Sequence, residues 1–267
     1  MTAENAIARF RRDITLGALL KGALAVGAVL VLLLHFLPLP AAINPSLLLM
    51  LLVVVWVVLW YGTMKSSRLA AESSTLIASG MLEQAETQIE QSLRAFSMSR
   101  SVKSLGLLNL ALLRLAQKRW PDTALLCREL LASRGPMPEH VSKSGRLMLA
   151  DSLLEMGDLR AAHDALTGLY RHRLSLSESL HLLRVQSDYL AAIGTWGELM
   201  RDVENKVSLA EIMPPQHGAR LQAILALAAK QTGQAEWANW LRRRVELLVD
   251  VRELVAARPL LGQLWET

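Results

Sequence analysis

Hydrophobic positions along this chain follow two patterns that meet near residue 64. From Gly22 to Met64 there is no Asp, Glu, Lys or Arg, and only His35 and Tyr61 can titrate. One helix through those 43 residues would be roughly 65 Å long at about 1.5 Å per residue. That is twice the ~30 Å hydrocarbon core of a bilayer. Pro38, Pro40 and Pro45 interrupt the run, and proline removes a helical hydrogen bond and clashes with the preceding turn. The pattern predicts a membrane hairpin with helices over about 14–37 and 45–64, preceded by a polar tail over 1–13.

Details within the hairpin agree. Lys21 is the one charge of the first span, close enough to its start for the stem to carry the ammonium to the headgroups. Ala18 and Gly22, then Ala23 and Gly27, are small residues four apart, the spacing that lets two membrane helices approach. Leu47 to Leu59 supplies bulk, and Trp56, Trp60 and Tyr61 suit the second interface. Arg9, Arg11 and Arg12 precede the hairpin, Lys65 and Arg68 come after it, and the connecting turn has no charge. Positive residues mark the cytoplasmic side, so an inner or plasma membrane protein with both termini in the cytoplasm is expected. No Gly or Pro interrupts 63–79, so the second membrane helix is free to run on into the next element.

Beyond residue 64 the apolar residues recur at helical spacing, as in Leu105, Leu108, Leu112 and Leu115. A short phrase also returns at Gly80, Arg119, Gly157, Gly194 and Gly233, a period of 37 to 39 residues. Five residues after each turn stands Ala85, Ala124, Ala162, Leu199 or Ala238, and seven before it Ser73, Ala150, Ser187 or Ala226, with Leu112 the exception. Glycine ends one helix at positive φ, and small residues sit where two antiparallel helices cross. Helix pairs are expected at about 66–79 and 82–97, 101–118 and 121–134, 138–156 and 159–172, 176–193 and 196–206, and 216–232 and 235–256. Lys206–Gly218, with Pro214 and Pro215, reads as the longest irregular connection, and 258–267 as a C-terminal cap or tail.

This phrase resembles the tetratricopeptide repeat, best in Met156–Ala162 with Leu149 and Ala150 before it, and Pro136 falls where that family often carries a proline. The period exceeds the family's 34. The resemblance covers roughly 66–250 and implies an all-α architecture, a transmembrane hairpin followed by an α-solenoid of about five TPR-like pairs over 65–257. The layout is similar to HemY-type bacterial inner-membrane proteins, without carrying over a haem-pathway role.

Composition narrows the function. The net charge of +5 and pI near 9.7 are spread thinly, Arg242, Arg243 and Arg244 forming the one dense cluster. No motif for nucleic acid accompanies them. Cys127, the single cysteine, excludes an internal disulfide and reads as a small buried residue. His35, His140, His163, His172, His181 and His217 show no metal-ligand spacing, and neither a phosphate-binding loop nor a nucleophile elbow appears. No cofactor and no metal is expected.

Carrying the family register over from the turn residues implies groove-facing, partner-binding positions at Asn109, Gln117, Ser144, Asp151, Glu155, His181, Arg184, Asp188, Arg220 and Lys230. The basic clamp that some family members use for peptide C-termini is not reproduced. The expected function is a membrane-anchored, non-enzymatic scaffold that binds a protein or peptide partner in its groove beside the bilayer. Two other classes stand beside it. One is a membrane-surface or lipid-associated module using Arg242–Arg244; the other is an enzyme subunit with a dispersed site at Asp151, Glu155, His181 and Asp188.

Overall fold

The computed structural model describes residues 1–36, 45–133 and 137–266. The expected proline turn at Pro38 and Pro40, the proline at Pro136 and Thr267 lie outside them. Every regular element among the described residues is helical, and the chain divides into two compact units, Met1–Met148 and Leu149–Thr267.

The helix pairs are closed by one turn used five times. Gly80, Lys118, Gly157, Gly194 and Gly233 all have positive φ, between 58° and 78°. In each, the turn residue's N–H bonds the carbonyl three back, and the next N–H bonds the carbonyl five back: Gly80 to Ile77 and Met81 to Leu76, Gly157 to Leu154 and Asp158 to Leu153. Lys118, Gly194 and Gly233 repeat the pattern. These paired bonds satisfy carbonyls that the helix end leaves open.

The second turn corrects the sequence register by one residue. Lys118, not Arg119, adopts the left-handed conformation, so the small positions before and after it are Ala111 and Thr123 rather than Leu112 and Ala124. Both are buried, and the Thr123 hydroxyl donates to the Ala111 carbonyl at 3.5 Å. Ser73 and Ala85, Ala150 and Ala162, Ser187 and Leu199, and Ala226 and Ala238 hold the same positions elsewhere, all buried. The apparent exception at Leu112 disappears.

In the first unit, α1 (Ala3–Phe36) and α2 (Pro45–Ala78) are, among the described residues, the two helices long and apolar enough to cross a membrane. Each is longer than its expected span. α2 continues without a break through Gly62 and forms the first half of a helix pair with α3 (Leu82–Arg94). Within residues 1–13, expected as a polar tail, all but the first two form the opening turns of α1. Ala3, Ala6 and Phe10 recur on one face and are buried, where α1 meets α3, α4 (Arg100–Ala116) and α5 (Trp120–Ala132). Charged residues tie this segment down: Arg11 makes a two-pronged pair with Glu129 at 2.5 and 2.7 Å, and Asp13 pairs with the buried Lys103 at 2.5 Å. Arg114 donates to the Met1 carbonyl and to Glu86, both at 2.7 Å. Cys127 is buried in α5, and burial pushes its thiol up to about 12, which leaves it unreactive.

The remaining elements are α6 (Glu139–Glu155), α7 (Leu159–Thr167), α8 (Leu176–Ala192), α9 (Trp196–Met200), α10 (Val203–Glu211), α11 (Pro215–Gln231), α12 (Ala235–Leu248), α13 (Val251–Ala257) and a 3-10 turn over Pro259–Leu264. The connection expected over Lys206–Gly218 is mostly helix. Asp202, at φ 52°, breaks the chain between α9 and α10 instead, and the Lys206 ammonium donates to the carbonyls of Glu198 and Leu199, both at 2.9 Å. At Gly218 a Cβ would lie 2.5 Å from the Ala210 carbonyl oxygen, so only glycine lets α10 approach α11. The expected helix over 235–256 is likewise two helices, because Asp250 caps α13 through the Arg252 N–H at 2.8 Å. α11 is the centre of this unit. Its Ala-rich turns pack against α8, α9, α10, α12 and the 3-10 turn, and Leu221, Leu225, Leu227, Leu241 and Leu261 are nearly inaccessible.

Candidate functional site

Six of the candidate residues come together in the second unit. Asp151 and Glu155 stand one turn apart near the end of α6. α8 supplies His181, Arg184 and Asp188, and α11 supplies Arg220. Each helix has a defined start. The Ser175 hydroxyl accepts from the Glu178 N–H at 3.3 Å while the Glu178 carboxylate accepts from the Ser175 N–H at 2.7 Å, closing a capping box for α8. Pro214 and Pro215 open α11, where a missing N–H has no cost.

Arg184 is the hub. Its Nη2 donates to Asp151 Oδ2 at 2.5 Å and lies 3.0 Å from His181 Nε2, while Nη1 is 3.6 Å from Asp188 Oδ2. Arg220 donates through Nε to Asp188 Oδ1 at 2.9 Å, with Nη2 2.8 Å from Oδ2. Arg220 also reaches Glu155 Oε1 at 3.4 Å. Arg258 reaches the same oxygen at 2.5 Å. Three guanidiniums thus face three carboxylates, each side neutralising the other.

The electrostatics depend on burial and partners. Asp151, Arg184 and Asp188 are each under 10% exposed, and a buried charge survives only when paired. Burial acts to raise the Asp151 carboxyl, but His181 and Arg184 outweigh it and hold the group well below the usual carboxylate range. Burial acts to lower Arg184, and Asp151, Asp188 and Glu155 reverse that and raise it. His217, on the first turn of α11, is pushed down by burial and by Arg184, His181 and Arg220. Its imidazole therefore holds a proton less readily than a free one does.

The candidates' exposure differs from the groove-facing expectation. Asp151, Arg184 and Asp188 are interior, whereas His181, at 31% side-chain exposure, and Arg258, at 24%, form the open edge of the cluster. The other four are not part of it, Ser144 lying half-buried on α6 within the first unit. Asn109 is buried in the first unit and donates to the Ala70 carbonyl at 2.6 Å and to the Ser73 hydroxyl at 2.9 Å, tying α4 to α2. Gln117 accepts from Arg114 at 2.5 Å and donates to Glu86 at 3.4 Å. Lys230 donates to the carbonyls of Gln263 and Glu266 at 2.6 and 2.8 Å, holding the C-terminal turn.

Two members of the cluster were not among the sequence candidates. His217 lies three residues before Arg220 on the same helix face, a spacing that could have found it. Arg258 is far along the chain, and nothing local announces its contact with Glu155. Among the described residues, no group of three or more His, Cys, Asp or Glu is arranged to hold a metal ion. No protein-family model, curated protein or solved structure matches the chain.

Proposed function

We propose that this chain is a membrane-anchored, non-enzymatic scaffold whose TPR-like helix pairs hold a protein or peptide partner on the cytoplasmic side of a bilayer. Support comes above all from the turn repeated at Gly80, Lys118, Gly157, Gly194 and Gly233, with buried residues at both crossing positions of the pairs, all small but Leu199. Such repetition is what stacked helical hairpins require. It stands on a chain whose first two helices are long and apolar enough to span a membrane. Arg9, Arg11 and Arg12 before the hairpin and Lys65 and Arg68 after it favour the cytoplasmic side for the helix pairs.

The partner contact falls at the open edge of the ionic cluster. His181 and Arg258 are the members a peptide reaches first, and a partner carboxylate there takes over part of Glu155's hold on Arg258 and Arg220. The buried members keep the edge in place. A photoreactive residue at His181 in the full chain, expressed in a bacterial inner membrane, should capture a polypeptide, while the same probe at Asn239, an exposed position on α12, should not. Equal capture at both positions, or none at His181, would count against the cluster as the contact. A phosphatase reporter fused at the C-terminus and active in the periplasm would reverse the orientation.

A further inference from the structure

The two long helices do not seal against each other along their whole length. Where Lys21, Leu24, Ala25 and Ala28 of α1 face Leu49, Leu52, Val53 and Trp56 of α2, a hollow of about 580 Å³ remains, and Met98 of the α3–α4 connection bounds it. Its shape comes from residue size. Ala25 and Ala28 are too short to fill the space opposite leucine and valine, while nearby Gly27 lets Leu52 approach it closely. Along each helix the hollow extends seven residues, about 10 Å at ~1.5 Å per residue.

Its two ends differ. Lys21, Trp56 and Met98 lie at one, Ala28 and Leu49 at the other. Met98 is fixed there by its N–H, which donates to the Thr63 hydroxyl at 3.2 Å. All the lining charge is therefore the single ammonium of Lys21, exposed and without a carboxylate partner among the described residues. Beyond it every lining side chain is apolar. A cation and an indole at the mouth of an apolar slot match an amphiphile with an anionic head and a hydrocarbon tail. An apolar membrane helix would fill the slot but leave Lys21 unpaired.

We propose that this hollow is a binding site for one anionic phospholipid, its phosphate on Lys21 and one acyl chain along Ala25 and Ala28 against Leu49, Leu52 and Val53. The site rests on the membrane reading of α1 and α2. It makes the hairpin selective for the lipid beside it, because burying chain methylenes holds any phospholipid while a net-anionic head gains more from the ammonium than a zwitterionic choline head does.

Trp56 lines the hollow and reports on it. The full chain is reconstituted into phosphatidylcholine vesicles containing chain-brominated phosphatidylglycerol, and the quenching that Trp56→Phe removes is followed against mole fraction. That component should saturate at low phosphatidylglycerol, and brominated phosphatidylcholine at equal fraction should not reproduce it. Lys21→Gln should raise the half-saturating fraction about five-fold, Lys21→Arg should leave it unchanged, and Ala28→Phe should abolish the saturable part. Quenching that is linear, equal for the two lipids or indifferent to Lys21→Gln overturns the site. So does a brominated-lipid signal lost when a second polypeptide co-purifies with the hairpin. Vesicle flotation separates the premises: a chain that floats but quenches without selectivity loses only the lipid site, whereas one that fails to float loses the membrane reading and the site together.

Discussion

The two units secure charge differently. In the first, the charges fall into small groups, the largest joining the amino terminus, Glu86, Glu90, Arg94 and Arg114. Asp13 meets Lys103, Arg11 meets Glu129, and Arg114 meets Glu86, and the first two pairs each fasten the opening turns of α1 to a different helix. Lys103 also donates to the carbonyls of Leu93 and Ala95, at 2.9 and 2.6 Å, so its ammonium has partners beyond the carboxylate. In the second unit the charges are pooled. Arg184 lies between Asp151 and Asp188, Arg220 between Asp188 and Glu155, and Arg258 closes on Glu155. Isolated pairs such as Asp13–Lys103 and Arg11–Glu129 fail one at a time. A pooled cluster turns the loss of one member into like charges facing one another.

That contrast predicts unequal costs. Asp151→Ala leaves Arg184 buried beside His181 with its closest carboxylate gone, and breaking a buried pair in this way costs about 3–5 kcal/mol. Asp13→Ala removes an equally short contact, yet Lys103 retains two carbonyl acceptors, so the loss should be nearer to 1–2 kcal/mol. Urea unfolding of the full chain in micelles, monitored by helical circular dichroism, measures both. Equal losses would mean that the second cluster is no more coupled than the pairs of the first.

The turns give a second contrast, smaller in size. Lys118 adopts φ 58° where the other four turns use glycine, and a side chain in the left-handed region costs about 1–2 kcal/mol. Part of that returns through the greater freedom of glycine in the unfolded chain. Lys118→Gly should therefore stabilise the first unit by about 0.5–1 kcal/mol, whereas Gly157→Ala in the second should cost about 1 kcal/mol. If Lys118→Gly has no effect or destabilises, the turn at 118 is held by something other than the backbone bonds it shares with the rest.

These same residues mark what sequence alone could reach. Helix existence was readable, because Gly80, Gly157, Gly194 and Gly233 punctuate it and leucines keep the period between. Lys118 was not, since nothing in a lysine announces positive φ, and the tryptophan and proline after it pulled the expected turn one place late. The pairing of Ala111 with Thr123, twelve apart like Ala150 with Ala162, was the available clue. Charge hid the opening of α1: Arg9, Arg11, Arg12 and Asp13 read as a solvated tail, although Ala3, Ala6 and Phe10 share a helical face. For the site, register chose Asp151, Glu155, His181, Arg184, Asp188 and Arg220 from one helix face each. That they would neutralise one another inside the unit depends on distances between helices, which periodicity does not contain, and Arg258 joins through a contact more than a hundred residues long.

The finest difference between the units lies in how acid reaches them. Burial, and then the charges of its neighbours with Arg184 foremost, lower the affinity of His217 for a proton below the ordinary value of 6.5, Asp151 acting the other way. The unfolded chain therefore binds that proton first, and stability is lost as pH falls below 6.5, until pH passes the lowered folded value. Asp151 contributes in the same direction but later, because its depressed carboxyl keeps its advantage until pH drops below the ordinary 3.8. In the first unit the carboxylates Glu86 and Glu129 are lowered from 4.5 by Arg114 and Arg11, so its acid loss starts near there. Between pH 6.5 and 4.5 a decline traceable to His217 belongs to the second unit. His217→Gln keeps a polar side chain of similar reach without the titration, and it should flatten the stability profile in that window while leaving the loss below pH 4.5 intact. A profile unchanged by His217→Gln would show that the imidazole escapes both burial and the field of Arg184 and Arg220, and with it that the pooled cluster is less confined than its distances require.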